Sequence, residues 1–365
     1  MNMQRFPHLL TARDRKIGRI TIGRVLTRRL LTRAAAVGAL LALSACGPPQ
    51  SQIYLPTAPP QAPPVPRPQA QAIDPQLQDQ AKQELLTETE SDSPVLRANA
   101  IEALQEADPS DASGPIAQAL GDPDPAVRFA ACLASGQLQL TPLHDRLIRM
   151  MHGGEPPQVQ VAIRFALHRM GDARFSHDLE RYAADPEPEI RGKTALVLGL
   201  LGEPSAVNLL HPLLYDPSEP VRLQAAESLW RLGDTDGLDA LVEAAVSKYP
   251  DDLILATLAL AEPHNTLVIQ HVRANLVNDY PEVSLAAARA LGMLGSDEGY
   301  TIATQGLASV DPRQRFLGAL ALGSIGRSDA QPKLAPLLKD TSPQVRIGAA
   351  TALLELHPPA MASSS

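Results

Sequence analysis

Motifs that carry enzyme chemistry are absent from this sequence of 365 residues. It contains no C-x-x-C, no H-E-x-x-H, no G-x-S-x-G, no phosphate-binding glycine loop and no dinucleotide fingerprint. Its histidines are scattered, and the densest group shows no metal-ligand spacing: His144, His152, His168 and His177. We therefore predict that the protein is not an enzyme and holds no metal and no cofactor.

Aromatic residues make up only 3% of the chain, and there are two cysteines, Cys46 and Cys132. No alternation of apolar and polar residues lasts long enough to predict β-strands. Cys132 falls in a column of alanines, so we predict a small buried core residue. The scarcity of large rings and the abundance of alanine and leucine favour tightly stacked helices over a sheet.

A repeating segment is what the sequence does have, and residues 216–233 show it most clearly: D-P-S-E-P-V-R-L-Q-A-A-E-S-L-W-R-L-G. Pro220 suits the first turn of a helix, and Gly233 suits a left-handed cap at its end. Val221, Ala225 and Leu229 fall on one face at helical spacing. The segment therefore predicts one amphipathic helix with its start and stop signals.

The segment recurs about every 31 residues, and the position of Arg222 serves as the reference. The reference residues of nine successive units are Arg97, Arg128, Gln160, Arg191, Arg222, Leu253, Ser284, Arg315 and Arg346. A leucine column follows seven residues later, and a glycine column eleven residues later. A second amphipathic segment, such as residues 206–215, completes each unit. The pattern predicts an array of two-helix units that share one continuous core.

The sequence Asp-Pro-x-x-x-Val-Arg, followed by a small residue and then leucine, resembles HEAT repeats, particularly the short HEAT-like repeats of phycobilisome lyases. The resemblance covers residues 74–357. It implies an all-α fold, a right-handed α-α superhelix of the HEAT/ARM type with about nine two-helix repeats. It also implies that the helix with the Val-Arg pair lines the concave side.

The arginine column has two interpretations. It could bind anions as a stripe, or it could form a ladder in which each arginine bonds aspartates and helix-end carbonyls of adjacent units. We predict the ladder, because each arginine travels with the aspartate that opens its helix. Its predicted members are Asp122, Arg128, Asp185, Arg191, Asp216, Arg222, Asp340 and Arg346.

Positions one, two and five after the reference should face the concave groove. Their apolar members predict a surface that binds a protein partner. These residues are Phe129, Leu133, Phe165, Phe316, Leu317 and Leu320. Tight curvature would instead bury them between neighbouring helices, and the sequence does not decide this. The arginine column also lapses around Asp252 and Ser284, which fits a hinge or docking notch, or simple drift in a tolerant array.

Residues 1–45 resemble the signal peptide of a bacterial lipoprotein. A basic region precedes a short apolar run and the sequence Leu43-Ser44-Ala45-Cys46, followed by Gly47. The resemblance implies cleavage before Cys46 and lipidation (diacylglycerol and an acyl chain such as palmitate) at that cysteine. Two or more chains anchor a protein stably. Gly47, rather than aspartate, resembles lipoproteins of the outer membrane, which would leave the chain in the periplasm.

Three further segments follow from composition. Residues 46–73 are rich in Pro, Gln and Ala, which predicts a disordered, extended tether; residues 74–358 form the repeat array, and 359–365 a disordered tail. Loss of residues 1–45 would take the net charge from −8 to −16, because it removes nine basic residues and one acid. Such an acidic array is a poor ligand for nucleic acid, so none is predicted as a partner.

We therefore predict a lipid-anchored, non-catalytic scaffold or assembly factor of the cell envelope that binds a protein partner in its groove. The alternative is a lyase for bilins or another cofactor, built on the same repeat. The deoxyhypusine hydroxylases are similar in fold, but they hold iron with repeated His-Glu pairs. This sequence has no His-Glu dipeptide, which argues against that activity.

Overall fold

The protein is all-α, as predicted. Its structure, a computed structural model, describes residues 72–356, without the side chains of 175–177. These residues contain eighteen α-helices and no strand. None of the described helices is both long and apolar enough to cross a bilayer.

The even-numbered helices carry the reference positions of the nine units, here called units 1 to 9. They are α2 (Pro94–Ala107), α4 (Pro125–Gln137), α6 (Pro157–Arg169), α8 (Pro188–Leu201), α10 (Glu219–Arg231), α12 (Pro250–Ala261), α14 (Pro281–Met293), α16 (Pro312–Ile325) and α18 (Pro343–Glu355). The odd-numbered helices are α1 (Pro75–Glu88), α3 (Ser113–Ala119), α5 (His144–His152), α7 (Leu179–Ala183), α9 (Val207–Leu210), α11 (Thr235–Ala244), α13 (Ile269–Ala274), α15 (Tyr300–Gly306) and α17 (Gln331–Leu334).

The start and stop signals of the even-numbered helices act as the sequence predicts. A proline lies in the first turn of each one, where its missing N–H has no helical partner to lose. The predicted glycine caps are confirmed, because all five have a left-handed φ between 73° and 96°. They are Gly171, Gly202, Gly233, Gly295 and Gly326.

The odd-numbered helices are shorter than the sequence pattern indicates. The segment 206–215 is not one helix: 3₁₀ turns at Pro204–Ala206 and His211–Tyr215 flank the single α-turn of α9. Pro212 causes the break, because it donates no hydrogen bond and its ring clashes with the preceding turn. The outer layer is therefore kinked in this unit, whereas α1 and α11 are unbroken helices of 14 and 10 residues.

Each even-numbered helix packs against the next, so these helices form one continuous layer with the odd-numbered segments outside it. Small residues allow close approach between the two layers. A Cβ atom added to Gly299, which caps α15, would lie 2.5 Å from the Cα atom of Ala288 on α14. Glycine is therefore required at this contact by space alone.

The two ends of the array meet, which the sequence pattern did not predict. Helix α18 packs against α1 and α2. Leu85 of α1 and Leu353 of α18 belong to one apolar cluster. Arg346 on α18 donates hydrogen bonds to Glu84 and Glu88 on α1. The two-helix units therefore close into a ring in which α1 covers the end of unit 9.

Candidate functional site

The predicted groove residues line the interior of this ring, but they do not form an exposed surface. Five of the six are at most 9% exposed, and Phe316 is half-buried. The five are Phe129, Leu133, Phe165, Leu317 and Leu320. Of the two interpretations of these positions, burial between neighbouring helices therefore holds for these five side chains.

Contacts across the ring explain this burial. The ammonium of Lys193 on α8 lies 4.1 Å from the ring centroid of Phe129 on α4, although α6 separates the two helices in the array. In the same way Arg313 of α16 reaches Asp251 of α12, past α14, at an N–O distance of 3.0 Å. Because the array curves back on itself, the side chains of its inner face cover one another.

The arginine column forms hydrogen bonds between successive units. Arg191 donates through Nε and Nη2 to both carboxylate oxygens of Asp216, at 2.6 and 2.8 Å, and through Nη1 to the backbone oxygen of Asp185. These bonds from Arg191 lower the pKa of Asp216 below its ordinary value. Two other joints have the same geometry: Arg97 with Asp122, and Arg315 with Asp340. In each of these guanidinium groups, Nε and Nη2 donate to the carboxylate and Nη1 donates to backbone oxygens. No pair of parallel N–H donors is therefore left for an external anion.

Three predicted ladder members depart from this pattern. Arg128 pairs with Glu155 instead of an aspartate, at 2.9 Å. The side chain of Asp185 accepts only from the backbone N–H of Glu187 (2.9 Å), because the preceding reference position is Gln160. Arg222 donates to the backbone oxygen of Asp216 at 2.8 Å, but a serine stands where the next aspartate would be. The ladder is therefore interrupted where units 3 and 4 meet and again from unit 5 to unit 8.

Units 5 to 8 carry a row of exposed apolar side chains in the loops that precede their even-numbered helices. We call this row the apolar rim; its members are Tyr215, Val246, Tyr249, Val277, Tyr280 and Val310, and they are between 45% and 97% exposed. Tyr215, Val246 and Val277 are spaced by one repeat, as are Tyr249 and Tyr280. Equivalent loop positions in consecutive units lie along one edge of the array, which places the rim residues of units 5 to 7 on one edge; in unit 8 the equivalent of Tyr215 is Ala308, and Val310 lies two residues after it.

Other units hold small or polar residues at the same place. The residues equivalent to Tyr215 in units 1 to 4 and 9 are Glu90, Gly121, Gly153, Ala184 and Lys339. The rim also coincides with the lapse of the arginine column, where Leu253 and Ser284 are both buried. Ser284 accepts a hydrogen bond from the backbone N–H of Asn278 at 3.1 Å, which secures the loop without an arginine. Aligning the loops at the 31-residue period would have revealed these apolar residues from the sequence alone.

The loops of the rim are acidic. Residues 215–219, 246–252, 277–282 and 308–313 contain seven acidic and two basic side chains. Among them Glu219, Asp251 and Asp279 are exposed. An apolar surface with acidic flanks favours a partner surface that is apolar with basic flanks.

Among the described residues, one group has the composition of a metal site: His211, Asp234 and Asp236. Asp234 accepts a hydrogen bond from the backbone N–H of Asp236 and so caps α11, and the imidazole of His211 lies 3.1 Å from the other oxygen of Asp234. Capping accounts for this geometry. Cys132 is buried, as predicted, and burial raises the pKa of its thiol. Cys46, with the predicted signal peptide and almost all of the tether, lies outside the described residues.

The family model for HEAT repeats matches residues 83–168 and 177–261. A comparison with curated protein sequences gave no match.

The chain is similar to solved structures of both enzymes and binding proteins, as three examples illustrate. Human deoxyhypusine hydroxylase, in complex with glycerol, is 20% identical, with 77% of this chain and 96% of that chain covered and a TM-score of 0.36. The CpcE–CpcF complex of phycocyanin lyase from a Nostoc species is 20% identical, with 66% and 94% covered and a TM-score of 0.36. A karyopherin bound to the C-terminus of a protein phosphatase is 14% identical, with 74% and 37% covered and a TM-score of 0.34. Residues 83–168 and 177–261 therefore match HEAT repeats, and the nine repeat units of the described residues continue the same helical architecture.

Proposed function

We propose that the protein is a lipid-anchored, non-catalytic scaffold or assembly factor of the bacterial cell envelope, and that it binds a protein partner through the apolar rim. The observation that carries the proposal is the rim itself. Monomeric proteins seldom expose a contiguous row of large apolar side chains unless it binds something. Tyrosine is also enriched in protein interfaces, because it adds a large apolar area and one hydrogen-bonding group.

The rim replaces the groove as the proposed contact surface. The groove side chains are buried in the ring, whereas Tyr215, Val277 and Val310 are among the most exposed residues of their type. The rim spans four consecutive units, so a partner could contact several repeats at once. Repeat arrays typically bind along such extended surfaces.

Site-specific crosslinking in envelope preparations of the producing bacterium tests the surface. A photoreactive residue at position 280 should capture a partner, and the variant Tyr249→Asp/Val277→Asp should capture at least about tenfold less, because a charge opposite an apolar contact must be desolvated. Leu267→Asp is the matched control, since Leu267 is 81% exposed in the same part of the ring but belongs to a different loop. Equal capture by the rim variant and the wild type would contradict the proposed surface.

The anchor has a separate test. Cys46→Ser should move the protein from the membrane fraction to the soluble fraction and abolish incorporation of labelled palmitate, because the sulfur and the new amino terminus would no longer carry acyl chains. Ala45→Ser is the control, since serine is also small enough for the cleavage motif. Unchanged membrane association of Cys46→Ser would refute the lipid anchor and leave the rim proposal standing.

A further inference from the structure

A small cavity opens inside the ring where helices α2, α14, α16 and α18 come together. Its volume is about 30 Å³, and we call it the axial cavity. Most of its wall is apolar, and Phe316, Leu320 and Ile347 supply much of it. The polar groups that face it include Glu102 of α2 and Arg289 of α14.

Both of these charged residues are buried without a partner. Glu102 is 3% exposed, and neither carboxylate oxygen has a hydrogen bond. Arg289 is 9% exposed, and its Nε–H is also unsatisfied. Within residues 72–356 neither side chain forms an ion pair. Burying a charged group without a partner costs several kcal/mol, which is on the order of the net stability of a domain. Two such groups in one cavity therefore need an explanation.

Burial disfavours the ionised form of Glu102. Burial raises the pKa of Glu102 well above its ordinary value, against a smaller opposite effect of Lys193. A neutral carboxyl group donates a hydrogen bond through its O–H, whereas the guanidinium group stays charged. With Glu102 in this neutral form, the cavity presents two hydrogen-bond donors and one positive charge on an apolar wall.

We propose that the axial cavity binds the carboxylate end of an aliphatic ligand: Arg289 pairs with the carboxylate, and Phe316, Leu320 and Ile347 enclose the adjoining carbon atoms. Arginine matches the planar geometry of a carboxylate with two parallel N–H donors. A space of this size holds about two water molecules, which suits a head group. The rest of the ligand extends past Gln344, which lines the cavity and is exposed. This site is separate from the rim and does not depend on the proposed protein partner.

A carboxylate of this kind has two sources, a free short-chain acid or the C-terminus of a polypeptide. Calorimetric titration of the full chain with butyrate, with a peptide that ends in a free valine, and with the amide of each compound distinguishes them. We expect at least one acid to bind, and its amide to bind at least about tenfold more weakly, since the amide loses hydrogen bonds between two charged groups, which are about twice as strong as neutral ones. Binding of butyrate alone assigns a free acid, and binding of the peptide alone assigns a chain end.

Three variants locate the site. Arg289→Gln should weaken binding of the acid at least about tenfold, whereas Arg273→Gln, on the exposed helix α13, should leave it unchanged. Glu102→Gln should bind within about threefold of the wild type, because its amide N–H replaces the O–H donor. Arg289→Gln should melt at or above the wild-type temperature, since it removes an unpaired buried charge; this separates lost binding from lost folding.

Several results would overturn the proposal. Equal binding of acid and amide would remove the role of the charge, and wild-type binding by Arg289→Gln would remove the role of that residue. Loss of binding in Glu102→Gln at an unchanged melting temperature would mean that an amide N–H does not replace the carboxyl O–H, which contradicts the donor role given to Glu102. Absence of binding for both butyrate and the peptide would leave ordered water as the partner of these groups.

Discussion

The joint that closes the ring and the joints between ordinary neighbours use the same arginine position with different partners. In an ordinary joint, Arg191 of α8 binds Asp216, which lies in the loop before the next even-numbered helix. In the closing joint, Arg346 of α18 binds Glu84 and Glu88, which lie on helix α1 from the other end of the chain. The repeat therefore supplies a guanidinium group at six of its nine reference positions, including the last, and α1 supplies the acids that turn the last one into a closure.

The largest loss of stability should come from substitutions of the buried leucines at the two kinds of joint. Leu85 in the closing joint and Leu291 in an ordinary joint are both 0% exposed. Leu85→Ala and Leu291→Ala should each lower the unfolding free energy of the protein by about 2–5 kcal/mol, because removal of the buried methyl groups leaves a cavity. Urea denaturation measures this loss.

Hydrogen exchange separates the two variants further. Leu85→Ala should speed exchange first in α1, because a ring opens most easily where its ends meet, whereas Leu291→Ala should act on α14 and its neighbours. A cost below about 0.5 kcal/mol for Leu85→Ala would mean that α1 does not pack as an ordinary neighbour does, since buried leucines lose far more.

Substitutions of the arginines at the two kinds of joint should cost less stability than those of the leucines. Arg191→Gln leaves the buried carboxylate of Asp216 without its main partner and should cost about 1–3 kcal/mol. Arg346→Gln should cost at least as much, because it strands Glu84 and Glu88 together.

Thermal and urea denaturation of both variants measure these costs. Arg273→Gln is the matched control, since its pair with Glu298 is exposed and should contribute less than about 1 kcal/mol. If Arg346→Gln were as mild as that control, the closing pair would be a surface contact only.

The features that the sequence predicted are those that each unit repeats locally. The proline in the first turn, the glycine cap and the arginine that bonds the preceding loop each depend on residues within one or two units. Closure depends on pairs that lie about 260 positions apart, such as Arg346 with Glu84. No periodic signal marks α1 as the partner of α18. In the ordinary joints the arginine binds an aspartate in a loop, whereas in the closing joint it binds two glutamates within helix α1.

Closure also explains why the predicted groove residues are not exposed. The positions chosen for the groove do face inward, but curvature that accumulates over nine units turns that face into an interior, as the contact of Lys193 with Phe129 shows. Curvature comes from many small packing angles, which residue types alone do not determine. The rim, in contrast, could be predicted from the recurrence of Tyr249 at Tyr280 and of Tyr215 at Val246 and Val277.

The smallest expected effect is the pH dependence of the ordinary joints. Hydrogen bonds from Arg191 and Arg315 lower the pKa of Asp216 and of Asp340 below the values that these groups have in an unfolded chain. Such a carboxylate binds fewer protons when folded, so its stabilising effect is complete above the unfolded pKa of about 4 and is lost as the pH falls through the lowered value. Between pH 7 and pH 3 the wild type should therefore lose more unfolding free energy than Arg191→Gln does, by urea denaturation at each pH. The difference isolates one joint, because all other acids titrate alike in both proteins. Equal losses in the two proteins would mean that the pair is as strong with a protonated aspartate, and then the ladder would hold the units together by shape and not by charge.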